Sequence, residues 1–295
     1  MYDLIVIGMG ISGITAGIYA KRSNLNVLII DKSMPGGLLN SIETISNYPG
    51  LSNISGSDFA MNLFNQVNEL KIPYKLEEVQ KVDLLSDVKS VTTNTDIYKA
   101  KNIIIATGRK PKYLGLDNEK SFLGRGLSTC AVCDGDFYKG KTVAVVGSGN
   151  SALQESLYLA KVAEKVYIIN RRDGFKGEDA LIDKIKNNNH DNIEIIYNVN
   201  IKKINEENEK ISSITLDNDT TIDVSGVFIY IGFTPNSDLV KDLDITNMDG
   251  YILVGDDFET TIPRVYAIGD VIKKDVYQLV TAASDGALVI YSIQK

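Results

Sequence analysis

The sequence contains no tryptophan, one histidine, two cysteines and six prolines in 295 residues. Cysteines this few exclude a secreted scaffold stapled by many disulfides. They also argue against a zinc site within one chain. Cys130 and Cys133 would need two further ligands, and the sequence offers one distant histidine. That residue, His190, lies in the polar run 187–192 and is expected to be an exposed turn residue. Acid–base chemistry must therefore come from another group. Positive charge is not in excess: the net charge is −7 and the isoelectric point near 4.9, which sets the chain against nucleic acid and anionic membranes. No stretch approaches the ~18 uninterrupted apolar residues of a spanning helix. The opening MYDLIVIGMG has no basic leader and no small-residue cleavage site, so no signal peptide is expected and a cytoplasmic location follows. No low-complexity segment is present.

What the sequence does contain is a repeat. Residues 2–13 read YDLIVIGMGISG and residues 141–152 read KTVAVVGSGNSA. Each is a continuous apolar run, then a Gly-x-Gly-x-x-Gly/Ala turn, then a helical pattern. An uninterrupted apolar run suits a strand covered on both faces of a parallel sheet. Each copy has its own second strand, VLIID at 27–31 and VYIIN at 166–170. The fold class expected is therefore α/β, with two Rossmann-like dinucleotide-binding domains. Two late strands, NIIIATG at 102–108 and GVFIYIGFTP at 226–235, form a corresponding pair. A further strand, VYAIGD at 265–270, has too little chain after it for a third domain. It reads as the chain returning to complete the first. The second domain is thus expected as an insertion, 113–239, within a first domain made of 1–112 and 240–295. Two crossovers, near Pro111 and near Asn236, would join them.

The first glycine turn, with Gly8, Gly10 and Gly13, lets backbone N–H groups approach a pyrophosphate at a helix N-terminus. Asp31 follows Gly13 by eighteen residues and ends the second strand, where a carboxylate accepts hydrogen bonds from ribose hydroxyls. A purely structural turn is the alternative. The second turn carries Gly147, Gly149, Asn150, Ser151 and Ala152. Its second strand ends in Asn170-Arg171-Arg172 instead of an acid, and Lys176 lies one turn on. Guanidiniums there suit a 2′-phosphate, because Arg matches phosphate oxygens in a fork. The alternative is a solvated basic turn. Cys130-Ala131-Val132-Cys133 is followed directly by Asp134. The spacing favours a reversible disulfide, in which one thiolate attacks a partner disulfide and the other resolves the mixed species. Two inert buried cysteines are the alternative. With no useful histidine, Asp134 is the best proton carrier.

These pieces, together with Met34-Pro35-Gly36-Gly37, Asn47-Tyr48-Pro49-Gly50, Ala106-Thr107-Gly108, Arg171-Arg172-Asp173 and Gly269-Asp270-Val271, resemble the low-molecular-weight bacterial thioredoxin reductases over essentially the whole chain. The resemblance implies FAD on the first domain, NADPH on the inserted one, and a homodimer. Electrons would pass from NADPH to FAD, to the cysteine pair and to a thioredoxin-like protein, with the domains turning against each other at the two crossovers. It implies flavin contacts from Gly8, Gly10, Ser12, Gly13, Asp31, Gly37, Leu38, Asn47, Ala106, Thr107, Gly108, Gly269, Asp270, Tyr277 and Gln278. It also assigns Cys133 to the flavin and Cys130 to the protein substrate.

The chain departs from that family at several positions. It has Ile11-Ser12 in place of Pro-Ala, Leu38 in place of Gln, Asn170 in place of His, Lys176 in place of Arg, and Tyr277 in place of Arg. Asn170 and Lys176 weaken the 2′-phosphate site, so reduced ferredoxin stands as an alternative donor to NADPH. A flavin redox sensor that reduces once and stops is the non-enzyme alternative.

Overall fold

The computed structural model describes residues 1–42, 44–51, 53–117, 119–187 and 191–295, so His190 and its expected turn lie outside the described residues. The chain divides into two compact units, Met1–Lys110 with Thr234–Lys295, and Pro111–Phe233.

The first unit is built on strand Tyr2–Ile7. Side chains alternate along a strand, and here both sets are apolar because both faces are covered. Leu4 and Val6 enter one core cluster, Ile5 and Ile7 the other. This strand pairs in parallel with Val27–Asp31 on one side and with Ile97–Ile105 on the other. Tyr74–Leu76 extends the sheet beyond Val27–Asp31, and Val265–Ala267 lies parallel against Ile103–Ile105. The first half of Ile97–Ile105 instead continues an antiparallel meander with Lys89–Thr93 and Val79–Asp83. Helices Ile11–Arg22, Gly56–Glu69 and Leu279–Ile293 cover the Leu4 face. Ser55 caps the second of these by accepting the Asp58 N–H at 3.0 Å, and Asp58 itself suits the positive helix end. The first and last of these helices approach closely because of Gly286, where a Cβ would lie 2.4 Å from the Ser12 carbonyl oxygen.

The second unit repeats the plan with a difference. Its central strand, Thr142–Val146, pairs in parallel with Lys165–Asn170 and Gly226–Ile229. Ile193–Tyr197 and Leu127–Ser128 complete a five-stranded sheet. Val143, Val145, Ile168 and Phe228 pack under helices Asn150–Leu159 and Asp179–Asn187. The other face, with Ala144, Val146, Val227 and Ile229, is covered by a three-stranded antiparallel sheet, Ile201–Glu207, Lys210–Leu216 and Thr221–Asp223. Ile201, Ile204, Ile211, Ile214 and Leu216 supply that sheet's buried side. Among the described residues no helix is long and apolar enough to cross a membrane.

Each unit ties down its own end of the crossovers. In the first, the Asn236 N–H donates to the Gly108 carbonyl at 2.9 Å and the Thr107 hydroxyl to the Asn236 carbonyl at 2.6 Å. In the second, the Lys112 N–H donates to the Gly232 carbonyl at 2.9 Å.

Candidate active site

The first glycine turn joins strand Tyr2–Ile7 to helix Ile11–Arg22. Gly8 sits at φ 114°, and a Cβ there would lie 2.3 Å from the Ala106 carbonyl oxygen. At Gly13 a Cβ would lie 2.0 Å from the Gly8 carbonyl oxygen, so this glycine lets the helix press on the turn. Gly10 is different: a Cβ there would meet nothing within 4 Å. It is the N-cap of a helix that has no side-chain cap, so first-turn N–H groups are left for a ligand. Asp31 faces this turn. Its Oδ2 accepts the Met9 N–H at 2.6 Å and its Oδ1 the Ser33 N–H at 3.0 Å.

The other residues expected around a flavin gather on the same unit. Ser12 is buried against Gly269, where a Cβ would lie 2.5 Å from its hydroxyl. A Cβ on Gly37 would lie 3.8 Å from the Gly10 Cα, and Leu38 follows it, exposed, on the 3-10 turn Gly37–Ser41. The Asn47 amide donates to Gln278 Oε1 at 3.2 Å. Ala106, Thr107 and Gly108 end their strand beside Gly8. Two features here escaped the sequence reading. The Gly269 N–H and the Lys274 ammonium both donate to Asp285 Oδ2, at 2.9 and 2.7 Å, a largely buried ion pair fixed on the backbone of the Gly-Asp motif. Arg109 pairs with Asp270 and lies over the Tyr277 ring. Its only sequence signal is a basic residue directly after Ala-Thr-Gly.

The second glycine turn opens onto a cleft of about 830 Å3 lined by Gly147, Gly149, Asn150, Ser151, Arg171, Arg172 and Lys176. Ala152 does not line it. It is buried, and a Cβ on Gly147 would lie 2.9 Å from its methyl, so it serves the close packing of helix on turn. Gly149 faces open space and caps helix Asn150–Leu159 without a side-chain bond, as Gly10 does in the first unit. The side chains of Arg171, Arg172 and Lys176 are exposed at the rim. Asn170 is buried, and its amide is engaged within the loop. It donates to the Gly174 carbonyl at 2.9 Å and accepts the Arg172 N–H at 3.1 Å. The Asn150 amide is likewise bound to Glu178, at 2.8 and 2.7 Å.

Cys130 and Cys133 form a disulfide, with Cα atoms 5.4 Å apart, across the single helical turn Ala131–Asp134. Cys130 is the extended N-cap of that turn, and its Sγ accepts the Cys133 N–H at 3.1 Å. The same N–H would stabilise a Cys130 thiolate after reduction. Ser128, also missed from sequence, accepts the Cys130 N–H at 3.0 Å and donates to Asp134 Oδ2 at 2.7 Å. One hydroxyl thus links the carboxylate to the redox turn. Tyr230 lines the cleft, and burial, helped by the nearby Glu155 carboxylate, pushes its phenol far above the usual range. Burial and then the Asp134 charge also raise Tyr138.

A family profile described as pyridine nucleotide-disulphide oxidoreductase matches residues 2–287. The chain is 38% identical to the thioredoxin reductase of Bacillus subtilis (strain 168), over 100% of this chain and 94% of that protein. It is 36% identical to that of Listeria innocua, over 100% of this chain and 93% of that protein. The crystal structure of Lactococcus lactis thioredoxin reductase superposes with a TM-score of 0.94 at 33% identity, covering 100% of this chain and 98% of that one.

Proposed function

The chain belongs to the pyridine nucleotide-disulphide oxidoreductase family and, within it, to the thioredoxin reductases, and we propose that it passes electrons from NADPH through FAD and the Cys130–Cys133 pair to the disulfide of a thioredoxin-like protein. The observation that carries this reading is the disulfide on its one-turn helix, in the same unit as a glycine cleft rimmed by three cationic side chains.

FAD would be held at its pyrophosphate by Gly8, Gly10, Ser12 and Gly13, and at its ribose by Asp31. The rest of the molecule would meet Gly37, Leu38, Asn47, Ala106, Thr107, Gly108, Gly269, Asp270, Tyr277 and Gln278. The open space at Gly10 and the uncapped helix behind it fit a pyrophosphate. When bound, FAD supplies a two-electron carrier between a hydride donor and a disulfide. NADPH would lie on Gly147, Gly149, Asn150 and Ser151, with its 2′-phosphate against Arg171, Arg172 and Lys176.

Two electrons and two protons convert the disulfide to two thiols. The Cys130 thiolate, stabilised by the Cys133 N–H, attacks one sulfur of the partner disulfide. That S–S bond breaks, a mixed disulfide forms, and a partner thiolate leaves. Cys133 then attacks Cys130 Sγ, which expels the second partner thiolate and restores the pair. Asp134, held by Ser128, carries the proton that a departing thiolate takes up. A homodimer and a cytoplasmic location belong to the same reading and rest on the resemblance.

A second reading has reduced ferredoxin as the donor. It is favoured by one observation: the Asn170 amide is engaged in the loop and offers nothing to a phosphate. An anaerobic titration separates the two. NADPH should bleach the flavin absorbance within minutes. Reduction by ferredoxin alone would overturn the NADPH assignment. Reduction that stops after one equivalent in the presence of thioredoxin would make the protein a sensor.

A further inference from the structure

We infer that Arg109 is a positioning residue of the flavin site, a guanidinium clamp that holds the Gly-Asp motif and the start of the last helix in binding geometry. The inference rests on the assignment of the first unit to FAD. Two segments far apart in sequence meet on this one side chain, the end of the strand before Arg109 and the stretch from Asp270 to Tyr277. Arg109 directly follows Ala106-Thr107-Gly108. Its Nε and Nη2 donate to Asp270 Oδ2 at 3.0 and 2.8 Å. Its guanidinium carbon lies 4.1 Å from the centroid of the Tyr277 ring, a cation–π contact.

Each contact has a consequence for the cofactor. Both arginine contacts fall on Oδ2, and among the described residues no protein donor bonds Asp270 Oδ1, which is placed to accept a hydroxyl. The side chains of Arg109 and Asp270 are only 17% and 22% exposed, so water screens the pair weakly, and loss of the cation would leave a poorly compensated carboxylate. Tyr277, pinned between Arg109 and the Tyr251 ring at 5.7 Å, directly precedes Gln278. Gln278 caps helix Leu279–Ile293 and accepts the Asn47 amide. The clamp therefore fixes Asp270 directly and the Asn47–Gln278 pair through Tyr277. The resembled family carries an arginine at the position of Tyr277. Here that position is a tyrosine, and the guanidinium packed on its ring comes from Arg109, in a different segment.

The test uses holoprotein. FAD dissociation is followed by the rise in flavin fluorescence on dilution, with the visible flavin spectrum recorded alongside. Arg109→Ala should speed FAD loss about tenfold or more, the scale of one or two charge-assisted hydrogen bonds, and shift the spectrum. Arg109→Lys, which keeps the charge but neither the fork nor the stack, should fall between. The double variant Arg109→Ala/Tyr277→Arg restores a guanidinium from the other side and should recover most of the retention. Should Arg109→Ala fail to fold, the lysine and double variants decide. FAD retention and spectrum in Arg109→Ala equal to the unmodified protein would overturn the inference. So would a double variant no better than the single one. A wild-type protein that binds no FAD would instead sink the cofactor assignment itself.

Discussion

The phenol oxygen of Tyr230 accepts the backbone N–H of Ala131 at 2.7 Å. This bond ties the first residue of the redox turn to the end of the strand beside the second glycine cleft. Ala131 is fully buried, so Tyr230→Phe leaves its N–H without a partner. We predict a stability loss of about 1–2 kcal/mol, with faster hydrogen exchange at Ala131. Denaturant unfolding and exchange mass spectrometry check this. An unchanged midpoint together with unchanged exchange would show that the bond does not hold the turn.

We predict that buried tyrosines set an alkaline limit to the fold. Burial, with help from Glu259 and Asp257, pushes the Tyr266 phenol up to about 12, and Tyr230 is displaced in the same direction. In the unfolded chain a phenol ionises near about 10. Stability from this source is fully present below about pH 10 and is lost as pH rises through the folded value. Urea midpoints should hold between about pH 8 and 9.5 and fall above about pH 10. Tyr266→Phe should flatten part of that fall, and an identical slope in the variant would count against it.

For the cysteines, Cys130→Ser should give a long-wavelength charge-transfer absorbance from a Cys133 thiolate on oxidised flavin. The Cys133 N–H bonded to Cys130 Sγ fits Cys130 as the attacking thiolate. Appearance of the band only in Cys133→Ser would reverse the roles.

Asp134→Asn should lower thioredoxin reduction about tenfold or more, with flavin content and reduction by NADPH unchanged. Its bond from Ser128 is short, so Ser128→Ala should reproduce part of the effect. A variant with wild-type turnover across neutral pH removes Asp134 from the chemistry.

Neutralising Arg171 and Arg172 together should raise the Michaelis constant for NADPH about tenfold or more and leave that for NADH nearly unchanged. Equal rises for both nucleotides would mean that the arginines do not read a 2′-phosphate.

The strand–glycine–helix units were legible because they are local. The apolar runs 4–7 and 143–146 and the glycines after them are contiguous in sequence, and each turn does open a helix. The antiparallel sheet over the second unit was not read, because its apolar residues do not alternate cleanly: Ile201 and Ile204, and Ile211 and Ile214, stand three apart, and the pairing shifts register between Ile201 and Lys203 and between Asn205 and Glu206. The side chains that set up the sites were hidden for a different reason. Arg109 and Asp270 stand 161 positions apart, and Ala131 and Tyr230 stand 99 apart. Such partners are created by the sheet order. Asn170 shows the same limit from the other side: read as a missing phosphate donor, it proves to be the residue that shapes its loop.

That loop bears on how such a protein can change. Its backbone is held by the Asn170 side chain and by the Ser148 carbonyl, which accepts the N–H groups of Lys176 and Gly177 at 2.7 and 3.1 Å. The side chains of Arg171, Arg172 and Lys176 are exposed along the cleft, and among the described residues none of them bonds to the loop backbone. Exchanging those three exposed residues should therefore cost little in folding. The groups that give the loop its shape are thus distinct from the groups it presents to the cleft.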